Sequence, residues 1–108
     1  MLFRSVDGHV FDSVLESERY KQLKLLQRAG EIKNLRLQVP FVLQEGFRKN
    51  NKTYQKVQYI ADFVYEENGL TIVEDTKGLK TEAFRIKQKL FEKQYPDLTI
   101  RIITREDI

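Results

Sequence analysis

Two stretches of this 108-residue chain decide its fold: Tyr59-Ile60-Ala61-Asp62-Phe63-Val64-Tyr65 and, soon after it, Leu70-Thr71-Ile72-Val73-Glu74-Asp75-Thr76-Lys77. Both are rich in β-branched and aromatic residues, a composition typical of β-strands. Asn68-Gly69 lies between them, and this residue pair tolerates the positive φ angles of a two-residue hairpin turn. The two stretches are therefore predicted to pair as an antiparallel hairpin.

Charged side chains interrupt this hairpin at positions where burial alone would not place them. Asp62 lies inside the first strand, and Asp75 and Lys77 lie at the end of the second. Because side chains alternate between the faces of a strand, Asp75 and Lys77 project together, whereas Glu74 and Thr76 point to the other side. Neighbouring carboxylates repel each other, so a divalent cation or a proton usually holds such a cluster together. The pattern predicts a metal site.

Caps, turns and hydrophobic periodicity indicate the other elements. Helices are predicted from Val14 to Arg28 and from a Thr81 cap to Gln94, and strands at Leu35–Leu43, Lys56–Tyr65, Leu70–Lys77 and Leu98–Ile103. Pro40 places the first of these strands at a sheet edge or at a bulge. The order α-β-β-β-α-β predicts an α/β fold, with a mixed sheet flanked by two helices in a single domain over residues 1–108.

Composition excludes several classes of protein. The chain has no cysteine, which removes disulfides, thiolate zinc sites and cysteine nucleophiles. Its one histidine, His9, is predicted in a polar surface turn, so Ser-His-Asp chemistry is disfavoured. No apolar run reaches membrane-spanning length, and no apolar targeting segment is recognised near the start. We expect a cytoplasmic protein without a membrane partner.

Basic residues are concentrated in one central segment. A net charge of +3 is too small to indicate a nucleic-acid partner by itself. Residues 46–56, predicted as a hairpin or loop, carry four cations around a tyrosine: Arg48, Lys49, Lys52 and Lys56, with Tyr54 among them. Such a segment can follow phosphates while the ring meets a sugar or base, so the four cations are predicted to bind DNA. Lys80 and Lys87 are further candidates, although Lys87 can instead extend over the core.

Glu16 has two interpretations of nearly equal weight. Ser13-Val14-Leu15-Glu16 has the pattern of a capping box, in which the Ser13 hydroxyl accepts from the Glu16 amide and the Glu16 carboxylate returns to the Ser13 amide. Yet Glu16, Tyr20 and Leu23 lie on one stripe of the helix, the stripe expected to face the sheet. On the second interpretation Glu16 is a further oxygen ligand for Mg²⁺ or Mn²⁺.

The order of elements and the placement of these acids resemble the PD-(D/E)XK nuclease superfamily. The Pro-Asp of that name is absent, since Ala61 precedes Asp62. A longer resemblance is to small phage and prophage proteins assigned to this superfamily, and it covers nearly the whole chain. It is carried by Phe11-Asp12-Ser13-x-x-Glu16, Ala29-Gly30-Glu31-Ile32, Tyr59-Ile60-Ala61-Asp62-Phe63-Val64-Tyr65 and Glu74-Asp75-Thr76-Lys77-Gly78.

Members of that family are regarded as endonucleases, with resolution of Holliday junctions as the activity suggested for them. The resemblance implies a restriction-endonuclease-like core and a catalytic set of Glu16, Asp62, Asp75 and Lys77. It also implies Mg²⁺ or Mn²⁺ as cofactor, branched DNA such as a four-way junction as substrate, and the cytoplasm of a phage-infected or prophage-carrying cell. Because a junction needs two symmetric cuts, a homodimer is expected, with the edge strand as its surface.

Other functions fit the same residues. Lys77 can be explained as a plain ion pair with Asp75 on the same strand face. A structure-nonspecific DNA nickase would use the same four residues as a resolvase. A nucleic-acid-binding module without catalysis would need only the basic segment 46–56.

Overall fold

The structure is a computed structural model that describes residues 5–108. The first four residues of the predicted domain lie outside the described residues. In chain order the elements are β1 (Ser5–Val6), β2 (His9–Val10), α1 (Val14–Arg28), β3 (Lys33–Gln44), β4 (Phe47–Lys49), β5 (Lys52–Tyr54), β6 (Val57–Glu67), β7 (Leu70–Thr76), α2 (Glu82–Gln94), β8 (Ile100–Ile103) and a 3₁₀ turn at Arg105–Asp107.

Four strands form the main sheet, in the order β3-β6-β7-β8. The β3/β6 and β6/β7 pairs are antiparallel, whereas β7 and β8 are parallel and are connected through α2. β1 with β2, and β4 with β5, form two separate two-stranded sheets. The predicted class, an α/β fold with a mixed sheet and two helices, is therefore confirmed.

The hairpin of β6 and β7 forms around the predicted turn. Asn68 and Gly69 have φ angles of 52° and 79°, the left-handed region that this residue pair favours. Pairing runs from Glu67–Leu70 to Phe63–Glu74 and stops there, although both strands continue beyond that pair. The first residues beyond that pair are Asp62 on β6 and Asp75 on β7, and both are acidic.

Both helices begin at their predicted caps. The Ser13 hydroxyl accepts from the Glu16 amide at 3.0 Å, and the Thr81 hydroxyl accepts from the Phe84 amide at 3.1 Å. α1 has the predicted bounds and is followed by Gly30 at φ 81°, a conformation that glycine adopts without steric cost. Local capping chemistry therefore fixes where each helix begins.

β3 is an edge strand of the main sheet, as Pro40 predicted. Its pairing with β6 shifts register between Lys33 and Arg36 and between Val42 and Gln44. Gln38 has a φ of 52°, which a strand residue without glycine's freedom seldom adopts. At this irregular position the Gln38 side-chain nitrogen lies within reach of the Glu16 and Asp62 carboxylates.

Each helix covers one buried cluster of apolar side chains. Phe91 and Phe84 of α2 pack with Tyr59 of β6, and Leu23 of α1 packs with Phe63. From Phe63 to Tyr65 of β6, and at Ile72 and Val73 of β7, successive residues alternate between the two clusters, as expected when both faces of a sheet are covered. Tyr59 and Ala61 belong to the α2 cluster although Phe63, two residues later, belongs to the α1 cluster, so the alternation of β6 is interrupted at Asp62. The central strands are therefore buried on both faces, and polar side chains there require partners.

His9 and the start of the last strand differ from the sequence-based prediction. His9 begins β2 rather than lying in a turn, because Asp7 and Gly8 alone make the connection, with φ angles of 52° and 81°. The last strand starts at Ile100, since only Ile100–Ile103 pairs with β7. Segment 46–56 contains a hairpin, one of the two forms predicted for it. In the part of the chain that the structure describes, neither helix has the length and apolar character needed to cross a membrane.

Candidate active site

Asp62 lies where β6 and β7 stop pairing. Its Oδ2 atom accepts hydrogen bonds from the Thr76 backbone nitrogen at 2.8 Å and from the Thr76 hydroxyl at 2.9 Å. The carboxylate thus satisfies a backbone donor that no ladder bond reaches. The other oxygen, Oδ1, lies 3.5 Å from the Gln38 side-chain nitrogen.

Asp75 and Lys77 lie together beside Asp62, as the alternation of β7 predicted. The Lys77 Nζ atom lies 3.4 Å from Asp75 Oδ2 and 4.5 Å from the centre of the Phe84 ring. Asp75 is only 3% exposed. Burial, followed by the neighbouring Asp62 carboxylate, raises the pKa of Asp75 to about 7, and the charge of Lys77 opposes this rise.

Glu16 joins these residues from α1. It is 3% exposed, and its Oε1 atom accepts from the Gln38 side-chain nitrogen at 2.9 Å. Burial, followed by the charge and hydrogen bonding of Asp62, raises the pKa of Glu16 to about 8, while the Asp12 backbone amide lowers it.

The position of Glu16 bears on its two interpretations. Within the described residues the capping box is half formed, because Ser13 caps the Glu16 amide but the carboxylate is directed to Gln38 and Asp62. The cap therefore fixes the backbone of Glu16 and leaves its carboxylate free to lie beside Asp62. Together with three neighbours, Glu16 forms the acidic site, which consists of Glu16, Asp62, Asp75 and Lys77.

Two further side chains of this site gave no signal in the sequence. Gln38 has a positive φ angle, and its side-chain nitrogen lies 2.9 Å from Glu16 Oε1. Tyr59 is 3% exposed, and its hydroxyl makes no hydrogen bond of ordinary geometry within residues 5–108, although the Asp75 carboxylate lies near it. Burial, followed by the nearby Asp75 charge, raises the pKa of Tyr59.

Two cavities give access to the acidic site. One, of about 520 Å³, is lined by the start of α1, including Glu16, and by Arg105. The other, of about 560 Å³, is lined by the start of α2, by Tyr59 and by Lys87. Both are lined by the same four charged residues: Asp12, Asp62, Asp75 and Lys77. Solvent or a ligand can therefore reach the acidic site along the start of α1 and along the start of α2.

The donor set of the acidic site suits a hard divalent cation. Three carboxylates supply oxygen ligands of the kind that Mg²⁺ and Mn²⁺ prefer. Burial, followed by the neighbouring Asp62, raises the pKa values of Glu16 and Asp75, and a bound cation would offset the repulsion among these carboxylates. As the side chains of residues 5–108 stand, no three acidic or histidine groups are arranged to hold an ion. The carboxylates instead accept hydrogen bonds from Gln38 and Thr76 and form an ion pair with Lys77.

The opposite face of β7 carries a different charged group. Glu74, which has no exposed surface, accepts two hydrogen bonds from Arg19 of α1, at 2.8 and 2.6 Å, and one from the Tyr65 hydroxyl. Arg101 of β8 lies 3.9 Å from the same carboxylate. The Glu74 carboxylate is buried and fully paired, so we assign it a structural role, in contrast to the acidic site beside it.

The basic residues predicted to bind DNA do not share one location. Four exposed cations lie on or next to the β4–β5 hairpin: Arg48, Lys49, Lys52 and Lys56. Lys87 lines the same cavity as Asp75, whereas Lys80 lies in a separate groove along the exposed side of α2. Only Lys87 of the six is therefore adjacent to the acidic site.

A protein family matches this chain over nearly its whole length. The profile of a family described as "Protein of unknown function (DUF1064)" matches residues 4–107. No curated protein matches this chain. The match covers nearly the whole chain, and with it every residue of the acidic site.

Proposed function

This chain belongs to the DUF1064 family of proteins of unknown function, and we propose that it is a metal-dependent DNA endonuclease that hydrolyses phosphodiester bonds. The observation that carries the proposal is the convergence of three carboxylates and one ammonium in an accessible groove. Asp75 comes from β7 and Lys77 from the residue that follows this strand, whereas Asp62 comes from β6 and Glu16 from α1.

A structural role accounts for only one of the three carboxylates, that of Asp62. Asp62 replaces a ladder bond, but Glu16 and Asp75 carry raised pKa values because each is buried beside another acid. A fold gains nothing from placing acids together in this way, and functional sites are where such costs are found. The one acid described on the opposite face, Glu74, is by contrast neutralised by two arginines.

Asp62, Asp75 and Glu16 would hold Mg²⁺ or Mn²⁺. Such an ion, when bound, polarises the scissile phosphate and lowers the pKa of water toward neutrality. Lys77 lines both cavities, and its ammonium can donate to a phosphate oxygen and stabilise the charge that develops in the transition state. The Phe84 ring beneath it restricts where that ammonium lies.

We assign the fold to the restriction-endonuclease-like core of the PD-(D/E)XK superfamily. The supporting feature is the order α1, β3, β6, β7, α2, β8, with Asp62 and Asp75 on adjacent antiparallel strands and Lys77 directly after the second. The chain departs from the motif at one position, since Ala61, which is fully buried, precedes Asp62 in place of proline.

We also propose that the substrate is branched DNA and that the protein acts as a twofold dimer in the cytoplasm of the host cell of a phage or prophage. One acidic site cuts one strand, whereas a four-way junction needs two symmetric cuts. The outer edge of β3 is unpaired in residues 5–108 and offers a surface for a second copy. Light scattering at micromolar concentration tests the dimer.

The decisive experiment is incubation with labelled four-way junction, flap, duplex and single-stranded DNA in Mg²⁺, Mn²⁺ and EDTA. We expect cleavage of the junction with either metal and none in EDTA. Cleavage in EDTA would overturn the metal requirement. Equal cutting of duplex and junction would instead identify a structure-nonspecific nickase, and binding without cutting would identify a nucleic-acid-binding module.

A further inference from the structure

The β4–β5 hairpin is separate from the main sheet. Its strands pair only with each other among the described residues, and every residue from 45 to 56 is exposed. Asn50 and Asn51 close it with φ angles of 52° and 60°. The Cα radius of gyration is 15.7 Å, against about 13 Å for a compact domain of this length, as expected if the hairpin projects from the body.

One face of this hairpin carries two parallel aromatic rings. Phe47 and Tyr54 are directly opposite each other in the register, and their ring centres lie 4.8 Å apart with planes inclined by 10°. The rings are not covered by the body, since Phe47 is 45% exposed and Tyr54 38%. An exposed two-stranded hairpin is only marginally stable, so two large exposed rings there call for an explanation beyond packing.

The same face carries two opposed ammonium groups. Lys49 pairs directly with Lys52, next to the two rings, and the Lys52 Nζ atom lies 5.0 Å from the centre of the Tyr54 ring. Like charges directly opposite each other destabilise a strand pair. Residues 46–56 contain four cations and no acid, more positive charge than the +3 of the whole chain. An anionic partner would remove this repulsion.

We propose that this face, formed by Phe47, Lys49, Lys52 and Tyr54, is a stacking platform for unpaired bases of the nucleic-acid substrate. Aromatic rings offer flat surfaces to base faces, while the lysines contact the flanking phosphates. In a continuous duplex the base faces are covered by their neighbours, so the platform favours branched or single-stranded positions. An acidic peptide would use the lysines but has no comparable group for two parallel rings.

The inference rests on the proposed function and narrows its substrate to DNA that has unpaired bases several nucleotides away from the cut. Asp62 lies five steps along β6 from the first residue of that strand, Val57, a distance of about 17 Å. This corresponds to about five nucleotide steps along one strand of a duplex. The hairpin therefore contacts the substrate at a distance from the cut and does not take part in the chemistry.

The test measures binding in EDTA, where neither metal nor cleavage is needed. Fluorescence anisotropy is recorded with duplex, a four-way junction and single-stranded DNA, with a matched RNA strand and with an oligoglutamate peptide. The variants are F47L/Y54L, which keeps apolar side chains but removes the rings, and K49Q/K52Q. The control is Leu70→Ala, which changes an apolar side chain that is 66% exposed at another turn. Circular dichroism checks that each variant is folded.

We expect F47L/Y54L to weaken binding to single-stranded and branched DNA on the order of tenfold to a hundredfold and to leave duplex binding unchanged. K49Q/K52Q should weaken all nucleic acids and reduce the salt slope by about 1.5. A 2-aminopurine base at the unpaired position should lose its quenching in F47L/Y54L. Equal losses for duplex and single strands, no loss at all, or preferred binding of the peptide would overturn the platform.

These outcomes separate the platform from the nuclease. If no metal supports cleavage but the ring variant still loses affinity for single strands, the platform stands and the proposed nuclease function fails. If cleavage depends on metal but the ring variant binds every substrate like wild type, the nuclease stands and the platform fails. Stronger binding to the RNA strand than to DNA would assign the platform to RNA and overturn the DNA substrate.

Discussion

The Asp62 Oδ2 atom lies 2.8 Å from the Thr76 backbone nitrogen and accepts its hydrogen bond where the pairing of β6 with β7 has ended. One carboxylate thus has two roles. It satisfies a backbone donor between two strands, and it lies between Glu16 and Asp75, whose pKa values it raises. Substitutions of Asp62 must therefore be chosen so that the two roles separate.

Asp62→Asn should abolish cleavage while leaving the free energy of unfolding within about 1 kcal/mol of wild type, because the amide oxygen can still accept from Thr76. Asp62→Ala should abolish cleavage and also destabilise by about 1–3 kcal/mol, since the donor then loses its partner. Urea unfolding and a junction-cleavage assay measure the two effects. Asp97→Asn, at an exposed acid, is the matched control. An active Asp62→Asn variant would remove Asp62 from the site.

Glu74 and Asp75 are adjacent and both buried, but they should respond differently. Glu74→Ala leaves Arg19 with no acidic partner in a largely buried position and should destabilise by about 3–5 kcal/mol. Asp75→Asn affects a more exposed partner, Lys77, and should abolish cleavage with little loss of stability. In the double variant R19M/E74M much of the stability should return. Equal destabilisation by Glu74→Ala and Asp75→Asn would contradict this division of roles.

The stability of the metal-free protein should fall as the pH rises from about 4 to about 8. The pKa of Glu16 rises from 4.5 to about 8 on folding and that of Asp75 from 3.8 to about 7, so the folded state binds more protons in this window. Because solvent reaches the site through two cavities, we expect a loss on the order of 1–2 kcal/mol. Thermal unfolding in EDTA between pH 4 and 9 measures it.

Glu16→Gln serves as the control for that pH dependence. Gln keeps the Ser13 cap intact and cannot ionise, so the slope of stability against pH should become shallower. Added Mg²⁺ should raise the unfolding temperature of the wild type most at pH 8, where the acids have lost their protons. An unchanged slope in Glu16→Gln would show that its carboxyl is not the group that titrates.

Two buried tyrosines, Tyr59 and Tyr65, allow the contribution of a buried hydroxyl to stability to be compared with and without a hydrogen bond. Tyr59→Phe removes a hydroxyl that makes no hydrogen bond of ordinary geometry within residues 5–108 and should leave stability unchanged or increase it by up to about 1 kcal/mol. Tyr65→Phe removes a donor to the Glu74 carboxylate and should cost about 1–3 kcal/mol. Chemical denaturation measures both. A comparable loss in Tyr59→Phe would mean that its hydroxyl is hydrogen-bonded in solution.

Lys77→Ala should reduce the cleavage rate on the order of a hundredfold and change DNA affinity by only a few fold. Its ammonium is proposed to act on the transition state, whereas binding is shared among many phosphate contacts. Single-turnover cleavage and anisotropy in EDTA separate the two quantities. The control is Lys89→Ala, at an exposed position on α2. A wild-type rate in Lys77→Ala would leave only the ion pair with Asp75.

Local sequence determined most of the secondary structure. The bounds of α1, the start of α2 and the turn of the central hairpin depend on Ser13, Thr81 and Asn68-Gly69, whose preferences act within a few residues. Strand alternation likewise placed Asp75 with Lys77 and turned Glu74 away from them. These features could be predicted because one segment of chain contains all of their causes.

Only the tertiary structure decided how distant segments meet. Glu16 and Gln38 reach Asp62 because α1 crosses the sheet there and because Gln38 adopts a positive φ angle, which no local pattern indicates. The same is true of Tyr59, whose hydroxyl makes no hydrogen bond of ordinary geometry within residues 5–108, and of the pairing of Glu74 with Arg19 across 55 positions. The sequence thus determined which side chains each strand presents, whereas long-range packing decided which of them share a site, because the energies that join them exist only after the sheet and helices have docked.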